Sequence, residues 1–173
     1  MEIERKFLVK SLPPGWKARS GSPIRQGYFS MRDKDVEIRL RELGSKRCIT
    51  IKAGRGLVRL EEEIPISRER FEALWPLVRK VSIQKTRYRI PCAGHTLEVD
   101  IYQGHHRGLI TAEVEFRSLR EAKVFHPPAF LGREVTGSRR YINESLARST
   151  LRRFRKKLPW HLNSKRRSLS AER

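Results

Sequence analysis

The informative residues of this chain are charged side chains that recur at every second position. Residues i and i+2 of a β-strand point the same way, roughly 7 Å apart. On that spacing Glu2, Glu4 and Lys6 share a face, with Ile3 and Phe7 opposite. Arg39 and Arg41 share another, backed by Ile38 and Leu40, and Lys52 follows Ile49 and Ile51. Glu61 and Glu63 flank Glu62, while Lys85, Arg87 and Arg89 line up with Tyr88 and Ile90 behind them. Glu98 and Asp100 alternate with Leu97, Val99 and Ile101, and Glu113 and Glu115 alternate with Val114 and Phe116. Together these are eight carboxylates and seven cations. An ordinary half-buried sheet mixes Lys and Glu on its solvent face. Here like charges hold neighbouring same-face positions, which is unfavourable unless an opposite charge lies between them. A strand-lined cavity, with a divalent cation on the carboxylates and a polyphosphate on the cations, removes that conflict.

The residue types narrow the ligands. Carboxylates without His or Cys suit Mg²⁺ or Mn²⁺, hard ions that keep several waters and bridge phosphate oxygens. Arg forks match phosphate oxygens two at a time, and Lys adds point charges. Seven cations exceed the need of a single phosphate and suit a chain of them. Cys48 and Cys92 make neither a thiolate cluster nor a disulfide framework, which points to a reducing, cytoplasmic setting. The N-terminus lacks the basic-then-apolar plan of a secretory leader, and no apolar run approaches the roughly 20 residues of a spanning helix. No membrane partner is expected.

The 173 residues contain 39 Lys+Arg against 19 Asp+Glu, a formal charge of +20. From Arg152 onward nine basic residues stand against one acid, Glu172, and Pro159 follows the last helical stretch. Contact with nucleic acid is therefore confined to this basic tail. Gly54-Arg55-Gly56 lacks the Lys-Ser/Thr of a phosphate-binding loop and reads as a hairpin turn. His105 and His106 read as a surface turn, and Trp16, Trp75 and Trp160 are too scattered for a stacking platform.

The elements that must position the charges are mostly strands. They are expected at Glu2 to Val9, Gln26 to Phe29, Val36 to Glu42, Arg47 to Lys52, Val58 to Ile64, Gln84 to Pro91, His95 to Tyr102 and Leu109 to Phe116. Turn residues separate them, as at Leu12-Pro13-Pro14-Gly15, Asp33-Lys34-Asp35 and Gly44-Ser45. Short strands at this spacing suggest a barrel or a sandwich. Ser67 caps a helix through Lys80, with Phe71, Leu74, Trp75 and Val78 on one face and a kink at Pro76. Asn143 caps a second, whose stripe is Ala147, Leu151, Phe154 and Leu158. One domain spans residues 1–158, and residues 159–173 form a basic, flexible tail.

The sequence resembles the CYTH, or triphosphate tunnel metalloenzyme, superfamily. The resemblance begins at Glu2-Ile3-Glu4-Arg5-Lys6, an E-x-E-x-K pattern. It continues through Arg25-Gln26-Gly27-Tyr28, Glu37-Ile38-Arg39-Leu40-Arg41, Thr50-Ile51-Lys52, Glu61-Glu62-Glu63-Ile64-Pro65 and Lys85-Thr86-Arg87-Tyr88. Glu98-Val99-Asp100, Gly108-Leu109, Ala112-Glu113-Val114-Glu115 and Gly132-Arg133-Glu134-Val135-Thr136, leading to Arg140-Tyr141-Ile142-Asn143, complete it. It implies a mainly β (α+β) fold: an eight-stranded antiparallel β-barrel forming a charged tunnel, with helices packed outside. It also implies Mg²⁺- or Mn²⁺-dependent hydrolysis of a small-molecule triphosphate, inorganic tripolyphosphate first. Nucleoside or thiamine triphosphate hydrolysis and adenylyl cyclisation are the alternatives within the family, and a polyphosphate- or RNA-binding module is the alternative outside enzymes.

By position the resemblance makes Glu2, Glu4, Glu113 and Glu115 the metal ligands. Lys6, Arg39, Arg41, Lys52, Lys85 and Arg87 form the triphosphate cradle. Glu61, Glu63 and Asp100 join Lys6 and Lys85 in the catalytic set, as ligands, water-positioning groups or partners that orient the cations. Ser138 stands where members often carry an acid. Either a monomer or a homodimer is compatible with this pattern.

Overall fold

The computed structural model describes residues 3–13, 15–31, 36–53 and 60–149. Glu2, the turns at Asp33 to Asp35 and Gly54 to Gly56, the stripe positions Leu151, Phe154 and Leu158, Trp160 and the tail at 159–173 lie outside the described residues. The strands are β1 (Ile3–Val9), β2 (Ser22–Tyr28), β3 (Val36–Leu43), β4 (Lys46–Ala53), β5 (Leu60–Pro65), β6 (Ser82–Cys92), β7 (His95–Tyr102), β8 (Ile110–Phe116) and β9 (Leu131–Glu134). Helix α1 (Arg68–Val78) lies between β5 and β6, α2 (Leu119–Val124) follows β8, and α3 covers 143–149.

All nine strands join one sheet in the order β5-β4-β3-β2-β6-β7-β8-β1-β9, and every pairing is antiparallel. The mainly β, antiparallel fold is as expected, but the eight-stranded barrel is corrected to a nine-stranded sheet that does not close among the described residues. The free edge of β1 is taken by β9, and among the described residues no ladder joins β9 back to β5. The sheet instead curls around a cavity that residues of seven of its strands line.

Alternation within the strands sends apolar side chains to the convex outside. There Phe7, Leu97, Val99, Val114 and Phe116 pack with Ala122 of α2 and with Phe125, while Leu40 packs under Phe71 and Val78 of α1. Ser67 caps α1 as expected, its Oγ accepting from Arg70 N at 3.3 Å. A third cluster lies inside the curl. Tyr28, Ile83 and Tyr102 meet Leu146 and Ala147 of α3, so that helix plugs one end of the cavity. Asn143, expected as a cap, is the first helical residue and accepts a hydrogen bond from the Tyr102 hydroxyl at 2.7 Å. The imidazole Nε2 of His106 lies 3.0 Å from the Leu146 carbonyl oxygen, fixing the other side of α3.

Strand β9 and helix α2 are held by one side chain. Arg5 donates Nε and Nη2 to the two oxygens of Glu134, at 3.0 and 2.7 Å. Its Nη1 donates to the carbonyls of Ala122 and Phe125, at 2.9 and 3.0 Å. The hydrogen bonds from Arg5 hold the Glu134 carboxyl below its ordinary range. Beyond β9, Thr136 Oγ1 accepts from Lys6 N at 3.0 Å and Val135 N donates to Lys6 O at 2.7 Å, which lays this segment over the cavity.

Gly27 faces α1, where an added Cβ would stand 2.6 Å from Val78 Cγ2 and 2.8 Å from Val78 Cβ. Gly27→Ala is expected to destabilise the fold by about 1–3 kcal/mol through overpacking, read as a lowered midpoint in urea. An unchanged midpoint would mean that α1 moves away without cost.

Candidate functional site

The curl encloses a cavity of about 380 Å³. Registers between neighbouring strands explain which side chains converge there. Glu4 stands opposite Glu115, Lys6 opposite Glu113, Glu98 opposite Glu113 and Arg87 opposite Asp100. On the other flank Arg39 stands opposite Thr50, Glu37 opposite Lys52, Lys52 opposite Glu61 and Thr50 opposite Glu63. Every expected cradle cation, Lys6, Arg39, Arg41, Lys52, Lys85 and Arg87, lines this one cavity, together with Glu4, Glu113 and Glu115.

The first flank is an ionic network centred on Asp100. That residue has no solvent exposure and accepts from Lys85 and from Arg87, whose Nε and Nη2 lie 2.7 Å from its two oxygens. Arg87 also donates to Glu98, and to Glu113 at 2.9 Å. Lys6 meets the second oxygen of Glu113 at 2.8 Å. Burial lowers the Lys85 ammonium pKa in spite of Asp100. Burial opposes the charge on Arg87 as well, but the hydrogen bonds and charge of Asp100 raise its pKa overall. Glu113 is held at about 2, because Lys6, Lys85 and Arg87 outweigh the burial that would raise it.

The second flank is looser. Lys52 Nζ lies 2.8 Å from Glu61, and Arg41 Nη2 lies 2.6 Å from Glu63. Arg39 reaches Glu61 at 3.7 Å and Glu63 at 3.8 Å. The Nε atoms of Arg39 and Arg41 are buried and, among the described residues, have no hydrogen-bond partner. A buried donor without an acceptor costs about 1–3 kcal/mol. The contacts of Glu61, Glu63 and Asp100 are with cations and the Thr50 hydroxyl.

Glu4, Glu113 and Glu115 stand on adjacent strands with their side chains on the cavity face. Among the described residues no three acidic, His or Cys side chains gather tightly enough to hold a metal ion. The donor set nevertheless has the hard oxygen chemistry of a Mg²⁺ or Mn²⁺ site. Glu4 stands directly opposite Glu115, so two carboxylates share this part of the cavity face.

Several lining groups were missed from sequence. Glu37 and Gln26 hold inward positions by the same alternation that revealed Arg39, and parity could have found both. Gln26 Nε2 donates to the Tyr28 hydroxyl at 2.5 Å, and burial raises the Tyr28 pKa. Ser138 and Tyr141 come from the segment laid over the cavity, for which the sequence offers no periodic signal, and Asn143, expected as a helix cap, joins them from the start of α3.

Comparison with known proteins matches this architecture. The CYTH domain model aligns with residues 1–126. The chain belongs to the CYTH family. It is 43% identical over 150 residues to an inorganic triphosphatase of Nitrosomonas europaea, spanning 86% of this chain and 97% of that protein. It is 39% identical over 158 residues to an inorganic triphosphatase of Acetivibrio thermocellus, spanning 89% and 97%. A crystal structure of an inorganic triphosphatase superposes with a TM-score of 0.69 at 40% identity, covering 85% of this CYTH chain and 94% of that one. A Hippeastrum protein described in terms of adenylyl cyclase and triphosphatase activity, 15% identical with a TM-score of 0.53 over 71% of this chain and 83% of its own, shares the fold.

Two expected outcomes test the network. Asp100→Ala leaves the buried Lys85 without its ion-pair partner and takes one of three carboxylates from Arg87, and is expected to cost about 3–5 kcal/mol. Glu61→Ala, at a partly exposed pair, is expected to cost less than about 1 kcal/mol. Equal losses in chemical denaturation would remove Asp100 from its central place. The depressed Glu113 pKa contributes stability that is complete above its unfolded value of 4.5 and is lost as pH falls toward about 2. Acid titration of Glu113→Gln should lack that part of the slope between the two values, and an unaltered slope would contradict it.

Proposed function

We propose that this protein hydrolyses the terminal phosphoanhydride of a triphosphate, inorganic tripolyphosphate in preference to a nucleotide, with a divalent metal ion. The observation that carries this reading is the convergence of Lys6, Arg39, Arg41, Lys52, Lys85 and Arg87 on one cavity, with the Nε atoms of Arg39 and Arg41 buried and, among the described residues, without a hydrogen-bond partner. A chain of phosphates matches that density of donors along its whole length. The relatives at 39% and 43% identity, both named inorganic triphosphatase, support the reaction class. Cys48 and Cys92 are free thiols, in keeping with a cytoplasmic setting. Among the described residues no helix is long and apolar enough to cross a membrane.

In this reading Arg39 and Arg41 grip one part of the triphosphate from β3, steadied by Glu61 and Glu63. Lys85 and Arg87 grip another from β6, held in place by Asp100. Together with Lys6 they stabilise the charge that spreads over the transferring phosphoryl group and the departing diphosphate. Because these donors are fixed by carboxylates before substrate arrives, little reorganisation is needed during reaction. Glu4 and Glu115, with Glu113 and Glu2, would hold Mg²⁺ or Mn²⁺, which when bound supplies Lewis-acid neutralisation of phosphate oxygens. A carboxylate on this acidic flank takes the proton of the attacking water.

The test is phosphate release from tripolyphosphate, ATP and thiamine triphosphate in parallel, with Mg²⁺, Mn²⁺ or EDTA, scoring cyclic AMP as well. Metal-dependent release is expected to be fastest from tripolyphosphate. Arg41→Ala should raise KM about tenfold or more, the scale of a lost charged hydrogen bond, and Glu4→Gln should abolish turnover at any Mg²⁺ level. Binding of polyphosphate or RNA without turnover of any substrate would overturn the enzymatic reading in favour of a binding module.

A further inference from the structure

Lys6 is held both inside the cavity and at the edge of its strand. Inside, its ammonium lies 2.8 Å from Glu113. At the edge, its backbone meets the segment that follows β9. The N–H donates to Thr136 Oγ1 at 3.0 Å, and the carbonyl accepts from Val135 N at 2.7 Å. The Thr136 hydroxyl has a single proton, which it donates to Glu134 Oε1 at 2.7 Å. Arg5 Nε reaches the same oxygen at 3.0 Å, and Nη2 fills Oε2 at 2.7 Å. Arg5 and Lys6 are neighbours in β1 and point to opposite faces. A loop of hydrogen bonds thus leaves the strand at the Lys6 amide and returns to it at the Arg5 side chain.

The loop is anchored at its outer end. Arg5 Nη1 donates to the Ala122 and Phe125 carbonyls, and the guanidinium carbon lies 5.1 and 5.8 Å from the ring centres of Phe7 and Phe125. A planar fork engaged on both edges cannot turn without breaking several bonds at once. Its ion-pair partner Glu134 fixes the direction of the Thr136 hydroxyl, whose lone pairs are then left to the Lys6 amide. Just past Thr136 the chain turns at Gly137, whose φ of 69° is left-handed backbone, and Ser138 N donates to Val135 O at 3.0 Å. Lys6, Val135 and Gly137 line the cavity, whereas Arg5, Glu134 and Thr136 stand behind that lining.

We infer that Arg5, Glu134 and Thr136 are positioning residues of the cradle. From the outer face and edge of β1 they fix the Lys6 backbone, and with it the point at which the Lys6 ammonium meets a phosphate. This rests on the triphosphate reading of the cavity and names the residues that orient one of its cations. Lys85 and Arg87 owe their orientation to a carboxylate inside the sheet, and Lys6 owes part of its own to one outside it. Residues that act in this way change substrate affinity without touching substrate, so their effect vanishes when Lys6 is absent.

Arg5 also holds α2, so the loop is better broken at Glu134 and Thr136, which are both exposed. The experiment is calorimetric titration of the full chain with tripolyphosphate in EDTA. Thr136→Val keeps the side-chain shape without the hydroxyl and is expected to weaken binding about fivefold, the scale of one hydrogen bond. Glu134→Gln should weaken it by a similar factor, and Thr136→Ser, which keeps the hydroxyl, should bind as the unaltered protein does. Lys6→Ala retains five cradle cations, and in that background Thr136→Val should cause no further loss. Unchanged affinity in Thr136→Val and Glu134→Gln would overturn the inference. So would a Thr136→Val loss that Thr136→Ser shares or that persists without Lys6, the results of a merely structural role. The readout needs neither metal nor turnover, so absence of tripolyphosphate hydrolysis would overturn the proposed activity and leave this comparison standing. Failure of tripolyphosphate to bind the unaltered protein would overturn both.

Discussion

Burial of the Asp100 carboxylate between Lys85 and Arg87 is the constraint from which the rest of the site follows. A carboxylate with no solvent exposure is tolerable only when its charge is matched and its oxygens are filled, and here three donors do both. The cost of dissolving that arrangement ties β6 to β7. It also fixes the plane of the Arg87 guanidinium, which then reaches Glu98 and Glu113. Glu113 in turn holds Lys6 of β1. A line of alternating charges therefore crosses four neighbouring strands, each ion set by the one before it. On the opposite flank Lys52, Glu61, Arg39, Glu63 and Arg41 form a shorter line, in which the contacts of Arg39 are the long ones.

This division of labour between the two faces explains how a sheet full of ions can be stable. Apolar burial is placed on the convex side, under α1 and α2, where the hydrophobic effect acts without competing for the cavity. The inward side contributes one apolar cluster, at the end stopped by α3, and leaves its remaining length to charge. The cations are thus held in place by neighbours of opposite sign.

Much of this was legible because charge and hydrophobicity alternate with a period of two. Strand β7 begins and ends where the alternation of Glu98 and Asp100 with Leu97, Val99 and Ile101 places it, and the cradle cations all reach one cavity. What escaped was non-local or short. Strand β9 has four residues, and its anchor is Arg5, 129 residues away, which no local pattern reports. That strand, and not β5, lies beside β1 in the described sheet. Helix α2 carried a readable mark, since Ser118-Leu119-Arg120-Glu121 has the spacing of a capping box, and Ser118 Oγ does accept from Glu121 N at 3.1 Å. Glu37 was passed over because it opens its strand beside a turn, although its parity matches that of Arg39 and Arg41.

An open sheet leaves β5 as an edge of the described strands, with a row of backbone donors and acceptors that could recruit another chain. Leu60 and Ile64 on this strand are exposed, which would favour such recruitment. Between them run three consecutive glutamates, of which Glu61 and Glu63 serve the cavity and Glu62 stands on the other face. Two copies pairing edge to edge would bring six carboxylates into one seam. The acids that orient the cradle therefore also guard the sheet against polymerising through its own border, and neutralising them for the sake of the site would weaken the protein's resistance to aggregation.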